Sequence, residues 1–295
     1  MSTGFDWSNA DAVIDVLCRA SATLRSTPGR SGCTVHLPER GTLLIAGDLH
    51  DHLPNYQRII AAAGLDEPDH HLLLQELIHG PTLLHGCDMS WRMLVRTAQL
   101  VNSHPGRVHP LLGNHENSQL TGVGVTKGGG NSVELFEDGL AMSFGESWEQ
   151  VGVAIDGFLR SMPLVVRTES GVQCSHSLPD AVLMNRFDPG VLDRQLEEAD
   201  RCGPDGGAYL LTWGRRFTDA QIDELRAAWG VSCFVIGHVQ IDRGVRRMGP
   251  HVLALASDQD AGAVLPLDLS CPPDVDALMS SVRPIQTLPA REIAG

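Results

Sequence analysis

Five short stretches place metal-competent side chains directly after apolar runs. GDLHDH (47–52) follows LLIA, QELIHG (75–80) follows LLL, GNHEN (113–117) follows HPLL, SHS (175–177) follows VQC, and GH (237–238) follows CFVI. Asp48 and His50 stand two apart, so in an extended chain they point the same way. A hard carboxylate oxygen and an imidazole on one face make part of a site for a divalent transition metal. In GNHEN, Gly113 permits a tight turn and Asn114 offers an amide oxygen. His115 follows directly and points elsewhere, which suits proton transfer better than the same coordination shell. A lone histidine after a strand is ordinarily structural. Two of them, His176 and His238, downstream of the first motifs and in this order, read as ligands. The remaining histidines (His36, His52, His70, His71, His79, His85, His104, His109 and His251) have no such context, and most read as surface residues, with His52 and His79 kept open.

These side chains need a scaffold that brings strand ends together. The first 26 residues predict a helix on the spacing of Val13, Val16 and Leu17. TVHLPERGTLLIAG reads as a hairpin whose second strand, 42–47, is apolar on both faces. A helix over 54–64, a strand over 71–78, a helix over 88–102 and a strand over 108–112 then alternate. That order implies parallel strands joined by right-handed crossovers, in an α/β fold whose ligands bind at the carboxyl ends of the strands. The glycine-rich loop 121–131 carries Lys127 without a phosphate-cradle pattern and reads as a mobile rim of the site. Asn131 with Glu134 predicts a capped helical region to about 161, and Thr218 with Gln221 another helix. Strands are expected at 163–168, 172–176 and near 232–236, 251–256 and 263–268. Residues 1–270 read as a single catalytic domain and 271–295 as a tail or arm.

Composition narrows the function classes. The chain has 295 residues, 42% apolar and 20% charged, with a net charge of −14. An acidic surface argues against a long nucleic-acid partner. No apolar run is long enough to span a membrane, and the N-terminus lacks a basic start followed by an apolar stretch. Seven cysteines without a CxxC pair read as reduced thiols in a cytoplasmic protein.

The ordered set GDLH, QELIHG, GNHE, SHS and IGH, spanning about 48–238, resembles the calcineurin-like metallophosphoesterases, in their phosphoprotein (serine/threonine) phosphatase branch. The resemblance implies an α/β (α+β) fold, a central β-sandwich flanked by helices. It implies two divalent metal ions, manganese, iron or zinc, about 3.5–4 Å apart. By position, Asp48, His50 and His238 would hold the first metal, Asn114 and His176 the second, and His115 would protonate the leaving alcohol. The implied reaction is hydrolysis of a phosphate monoester on a phosphorylated protein or a small phosphorylated metabolite.

The second motif departs from that pattern. The family has GDxVDRG, and LLLQELIHG aligns with it end to end. Gln75 falls where an aspartate bridges the metals, Ile78 where an aspartate orients the catalytic histidine, and His79 where an arginine holds phosphate. A neutral amide oxygen can coordinate, but it does not offset repulsion between two cations. Two acids stand close by: Glu76, which a bulge at the strand end could turn inward, and Asp51, where the family has glycine. The expectation is that Glu76 or Asp51 restores the charge and that Asp51 orients His115. Arg215 and Arg216, after LLTWG, could supply a bidentate fork for phosphate, with His79 as a further substrate contact. The alternative is a catalytically impaired phosphatase-like module that binds phosphorylated partners.

Overall fold

The computed structural model describes residues 5–124, 126–127, 130–271 and 274–289. Helix α1 (Ala10–Arg25) starts at Asn9, whose side chain accepts from the Ala12 N–H. Strands β1 (Arg30–Ser31), β2 (Thr34–His36) and β3 (Thr42–Asp48) lead to α2 (Leu53–Ala63), β4 (His70–Gln75), α3 (Trp91–Ser103), β5 (Val108–Leu111) and α4 (Asn114–Thr121). A short ribbon of β6 (Thr126–Lys127) and β7 (Gly130–Asn131) precedes α5 (Ser132–Phe144) and α6 (Trp148–Leu159). Next come β8 (Val165–Arg167), β9 (Val172–Ser175), α7 (Glu198–Arg201), α8 (Gly207–Trp213) and α9 (Asp219–Trp229). The chain continues through β10 (Cys233–Ile236), β11 (Val245–Arg247), β12 (Val252–Leu255), β13 (Ala263–Asp268), α10 (Val275–Ser281) and β14 (Arg283–Pro284).

The strands form a seven-stranded sheet, β1-β2-β8-β9-β10-β12-β11, and a five-stranded sheet, β14-β13-β3-β4-β5. Alternation along each strand sorts the side chains. Leu43, Ile45 and Leu73 of one sheet meet Val166, Cys174, Val235 and Leu253 of the other in a core between the sheets. Leu44, Ala46, Leu72 and Leu74 face outward into the larger core shared with the helices. This is a two-sheet sandwich flanked by helices.

Strands β3, β4 and β5 are mutually parallel, as are β9, β10 and β12. The two sheets converge at the carboxyl ends of these strands, where Asp48 bridges to Ala256 and the Ser257 N–H donates to the Asp48 carbonyl at 2.9 Å. Gly47 permits this approach: a Cβ there would lie 2.2 Å from the Leu255 carbonyl oxygen.

Several local expectations differ from the structure. β2 and β3 are not a hairpin; they lie in opposite sheets, and LPERG carries the chain from one layer to the other. Val35 and Ile45 thus meet across the interior rather than along a shared ladder. β4 ends at Gln75, not 78, because Glu76 takes a left-handed conformation at φ 49°. GNHEN begins a helix; its polar residues have no apolar period because they face the site. The helical region from 131 breaks at Gly145. His71 and His109 are buried, not on the surface. After Cys271 the described segment 274–289 packs back, with β14 pairing with β13 and Ile285 and Leu288 buried. Residues 272–273 and 290–295 lie outside the described residues, as do residues 125, 128 and 129 of the glycine-rich loop and the Lys127 side chain. No helix among the described residues is long and apolar enough to cross a membrane.

Candidate metal centre

The backbone at the strand ends is unusual before any side chain is considered. Six described non-glycine residues have positive φ; five of them, His50, Asp51, Glu76, His79 and His238, lie in the strand-end motifs, and the sixth is His85. Left-handed non-glycine residues cost free energy and persist where surrounding contacts dictate them. Here the contacts are visible. The Leu49 and His50 N–H groups both donate to the Glu76 carbonyl, at 3.0 and 2.7 Å, which ties the turn after β3 to the turn after β4. Glu116 is fully buried, and its Oε1 accepts from the N–H groups of Leu77, at 2.7 Å, and Ile78, at 3.3 Å. That capture ends the strand and turns Glu76 inward.

Glu76 then occupies the middle of the site. Its Oε1 accepts from the His115 N–H at 2.9 Å, and its Oε2 lies 2.5 Å from His176 Nε2. Two groups of possible ligands form around it. His50, Glu76 and His115 make one, and Glu76, His176 and His238 the other, with the ligand atoms of each group within 4.8 Å of one another. Glu76 belongs to both. His238 falls beside His176 rather than with His50, the partner that the resemblance implied.

Gln75 is in the site as well. Its Nε2 donates to the Ala46 carbonyl at 3.0 Å, which aims Oε1 at His176 Nδ1, 3.1 Å away. Asn114 Oδ1 lies 2.9 Å from His176 Nε2. Both Asp48 oxygens accept from the His238 N–H, at 3.0 and 2.9 Å. The chain can approach there because residue 237 is glycine, whose Cβ would lie 2.1 Å from Asp48 Oδ1. His50 Nδ1 faces the Ile78 carbonyl at 3.1 Å, which fixes the ring plane.

Electrostatics favour a cation here. Burial, above all, holds His176 below the ordinary imidazole range and His238 well below it, which favours the neutral form of each ring. A neutral His176 carries one ring proton. That proton faces Gln75 Oε1 from Nδ1 or the Glu76 and Asn114 oxygens from Nε2, so acceptor oxygens lie at both ring nitrogens. His238 Nε2 is buried without a hydrogen-bond partner among the described residues. Burial pushes the Asp48 carboxyl up to about 7, with His176 opposing and Glu76 adding to the rise. Burial also lifts Glu116 to about 7, helped by Glu76. Such a set of acids and lone pairs fits divalent cations.

The remaining expected residues divide. Arg215 is exposed, and its charge contributes to lowering both His176 and His238. The Arg215 and Arg216 N–H groups both donate to Asp180 Oδ1 at 2.7 Å. His79 is buried, with Nδ1 at 2.8 Å from Asp88 Oδ2 and its ring 5.3 Å from that of His115. Asp51 is pushed up to about 6 by burial and then by Asp88, with Arg96 and Arg92 opposing. Sequence reasoning missed Asp88 and Glu116. Glu116 stood in the quoted GNHE motif; Asp88 stands nine residues past His79 and is brought back by a loop.

No protein-family model matches the chain, and no curated protein sequence does. Solved structures do. A protein serine/threonine phosphatase from Saccharomyces cerevisiae, described as similar to human phosphatase PP5, superposes with a TM-score of 0.68 at 15% identity, over 88% of this chain and 83% of that one. A cold-active protein-tyrosine phosphatase of a psychrophilic Shewanella species gives a TM-score of 0.53 at 16% identity, over 80% of this chain and 77% of that one. A second structure of a cold-active protein tyrosine phosphatase gives 0.56 at 17%, over 84% and 78%. The chain has the two-sheet fold of these phosphatases.

Proposed function

We propose that this chain is a metal-dependent phosphomonoesterase of the serine/threonine phosphatase type, acting on a phosphorylated protein or a small phosphorylated metabolite. The observation that carries the reading is Glu76, one buried carboxylate common to two groups of histidine ligands. It supplies between the groups the negative charge that Gln75 lacks. His50 with Glu76 would hold one ion, and Glu76, His176 and His238 the other, with Asp48, Gln75 and Asn114 adding oxygens. Two divalent ions, manganese, iron or zinc, when bound supply Lewis acidity toward phosphate oxygens and water.

The chain's own residues account for the rest. Arg215 orients the phosphate from the rim. His115, in the first turn of α4 with its ring against His50, gives its proton to the leaving oxygen as the phosphorus–oxygen bond breaks. Water supplies the oxygen that forms the new bond to phosphorus, and the products are the alcohol and inorganic phosphate.

The direct test is hydrolysis of an aryl phosphate with added Mn²⁺, alongside metal content per chain. Two ions per chain, with turnover abolished in His115→Ala, is the expected result. One ion or none, without turnover in Mn²⁺, Zn²⁺ or Fe²⁺, overturns it in favour of the phosphatase-like binding module, the reading that the neutral Gln75 favours.

A further inference from the structure

We infer that Asp88 and His79 form a positioning pair for His115, an inference that rests on the phosphomonoesterase reading above. The pair is buried on both sides, with His79 1% and Asp88 3% exposed. Its hydrogen bonds close on themselves. The Ser90 N–H donates to Asp88 Oδ1 at 2.8 Å, which leaves Oδ2 for His79 Nδ1, also at 2.8 Å. The His79 N–H donates to Ser90 Oγ at 3.0 Å. Backbone and ring of His79 are thus both tied to the turn 88–90.

What lies against the ring gives the pair its direction. Phe136 packs edge-on at 5.6 Å and 82°, which excludes water from one side. The neighbouring imidazole is His115, at 5.3 Å and 54°. On another side of His115 stands the His50 ring, at 5.0 Å and 80°. His115 therefore sits between two imidazoles whose Nδ1 atoms are already committed, one to the Ile78 carbonyl and one to Asp88. With Nδ1 taken, His79 can act on a further group only through Nε2 and its π face.

A carboxylate bonded to one ring nitrogen fixes the tautomer and the ring plane. A buried acid–imidazole pair also gives little stability that apolar packing would not give. Its place beside the proton-donating histidine accounts for it better. Asp51, the other acid near this corner, has Asp88, Arg96 and Arg92 as its electrostatic neighbours.

The test separates a positioning role from a structural one by leaving group. Phenyl phosphate needs a proton at its leaving oxygen; 2,4-dinitrophenyl phosphate does not. Asp88→Asn keeps the acceptor for the Ser90 N–H and nearly the same shape, and His79→Gln removes the ring. Each is expected to lower kcat for phenyl phosphate about 10–100-fold, with KM nearly unchanged. Turnover of 2,4-dinitrophenyl phosphate should fall no more than about threefold, because little proton transfer is required. Equal losses on both esters, or a rise in KM alone, would overturn the inference, the latter because His79 would then be holding substrate.

A second readout needs no turnover. Imidazole nitrogen NMR of the metal-free protein should show Asp88→Asn altering the His79 tautomer and shifting the His115 resonances. Unmoved His115 resonances would overturn the pair by themselves. A wild-type protein inert toward both esters would instead sink the phosphomonoesterase reading, and the resonances would still decide whether Asp88 acts on His115.

Discussion

Strand β4 meets buried histidines at both of its ends, and the ends differ in kind. At its start His71 Nδ1 lies 3.2 Å from His109 Nε2 of β5, and the two rings stack at 5.4 Å and 16°. The strands are regular there, the φ angles are negative, and no carboxylate bonds to either ring among the described residues. At its finish the chain turns left-handed at Glu76 and again at His79, and the histidines are crowded by Glu76, Asn114, Gln75 and Asp88. The first arrangement is satisfied as it stands: one neutral imidazole donates to another. The second gathers acceptor oxygens of Glu76, Gln75 and Asn114 around a single imidazole, His176. Burial of histidine alone therefore identifies nothing. Converging acceptors on a constrained backbone mark the end that can hold a charged ligand.

The sharpest way to break this comparison is to remove the shared acid. Glu76→Gln keeps the shape and the acceptor for the His115 N–H, but removes the charge common to both ligand groups. Turnover should fall at least about 100-fold, because a neutral side chain holds the second cation poorly. Metal content should drop toward one ion per chain. Unchanged metal content and turnover would mean that the charge comes from elsewhere and that the two ends of β4 differ less than the contacts suggest.

The quiet end should respond to pH alone. Burial, with His71 adding to it, pushes His109 down to about 3 from an ordinary 6.5, and burial lowers His71 as well. A histidine whose pKa is depressed by folding binds its proton more readily in the unfolded chain. Its contribution is therefore intact above about pH 6.5 and is lost as pH falls toward 3. For His109 the loss reaches on the order of 3 kcal/mol by pH 4. His71→Leu with His109→Leu replaces both partners with apolar groups, so stability at pH 7.5 and turnover should stay near wild type. Denaturant unfolding across pH 7.5–4 should show a flatter acid limb for the double variant. The same slope in both proteins would show that the pair is not neutral in the fold.

How much of this could be read beforehand depends on what each residue does. That Asp48, His50, Asn114, His176 and His238 come together was legible because metal-competent side chains recur at strand ends, and strand ends can be located from apolar runs. Glu76 was legible as a candidate because an acid beside a missing acid is visible in one dimension. Its inward turn was not, because Leu77 and Ile78 continue the apolar pattern. What stops β4 is Glu116, reaching back across 39 and 38 residues to take the Leu77 and Ile78 N–H groups. Asp88 escaped for a similar reason. Nothing local to CDMS says that the chain returns there to meet His79. The hairpin expected over 34–47 failed because alternating apolar residues satisfy a facing sheet as well as a neighbouring strand.

Glu116 offers an intermediate test. Glu116→Ala leaves the Leu77 and Ile78 N–H groups buried without an acceptor, which costs about 1–3 kcal/mol. The turn that carries Glu76 should also loosen, so metal affinity falls with stability. Glu116→Gln keeps an acceptor oxygen, and with a carboxyl lifted to about 7 the native side chain is already partly neutral near neutral pH. That variant should stay close to wild type in thermal unfolding. If the two variants lost the same stability, the charge and not the acceptor would be what holds the turn.

The smallest effect separates two adjacent arginines. Both are exposed and both backbone N–H groups are held by Asp180, so substitution of either side chain should leave the loop in place. Of the two, Arg215 is the one among the leading charges that lower His176 and His238. On the proposed reading its guanidinium meets substrate phosphate at the rim, where solvent screens it. Arg215→Ala should then raise KM roughly 5–10-fold with little change in kcat, a charge-assisted contact weakened by exposure. Raising the salt concentration should narrow the gap between wild type and variant. Arg216→Ala should leave KM where it is. Equal rises in the two variants would restore the bidentate fork that their adjacency suggests, and would mean that the loop after Trp213 turns Arg216 inward when phosphate binds.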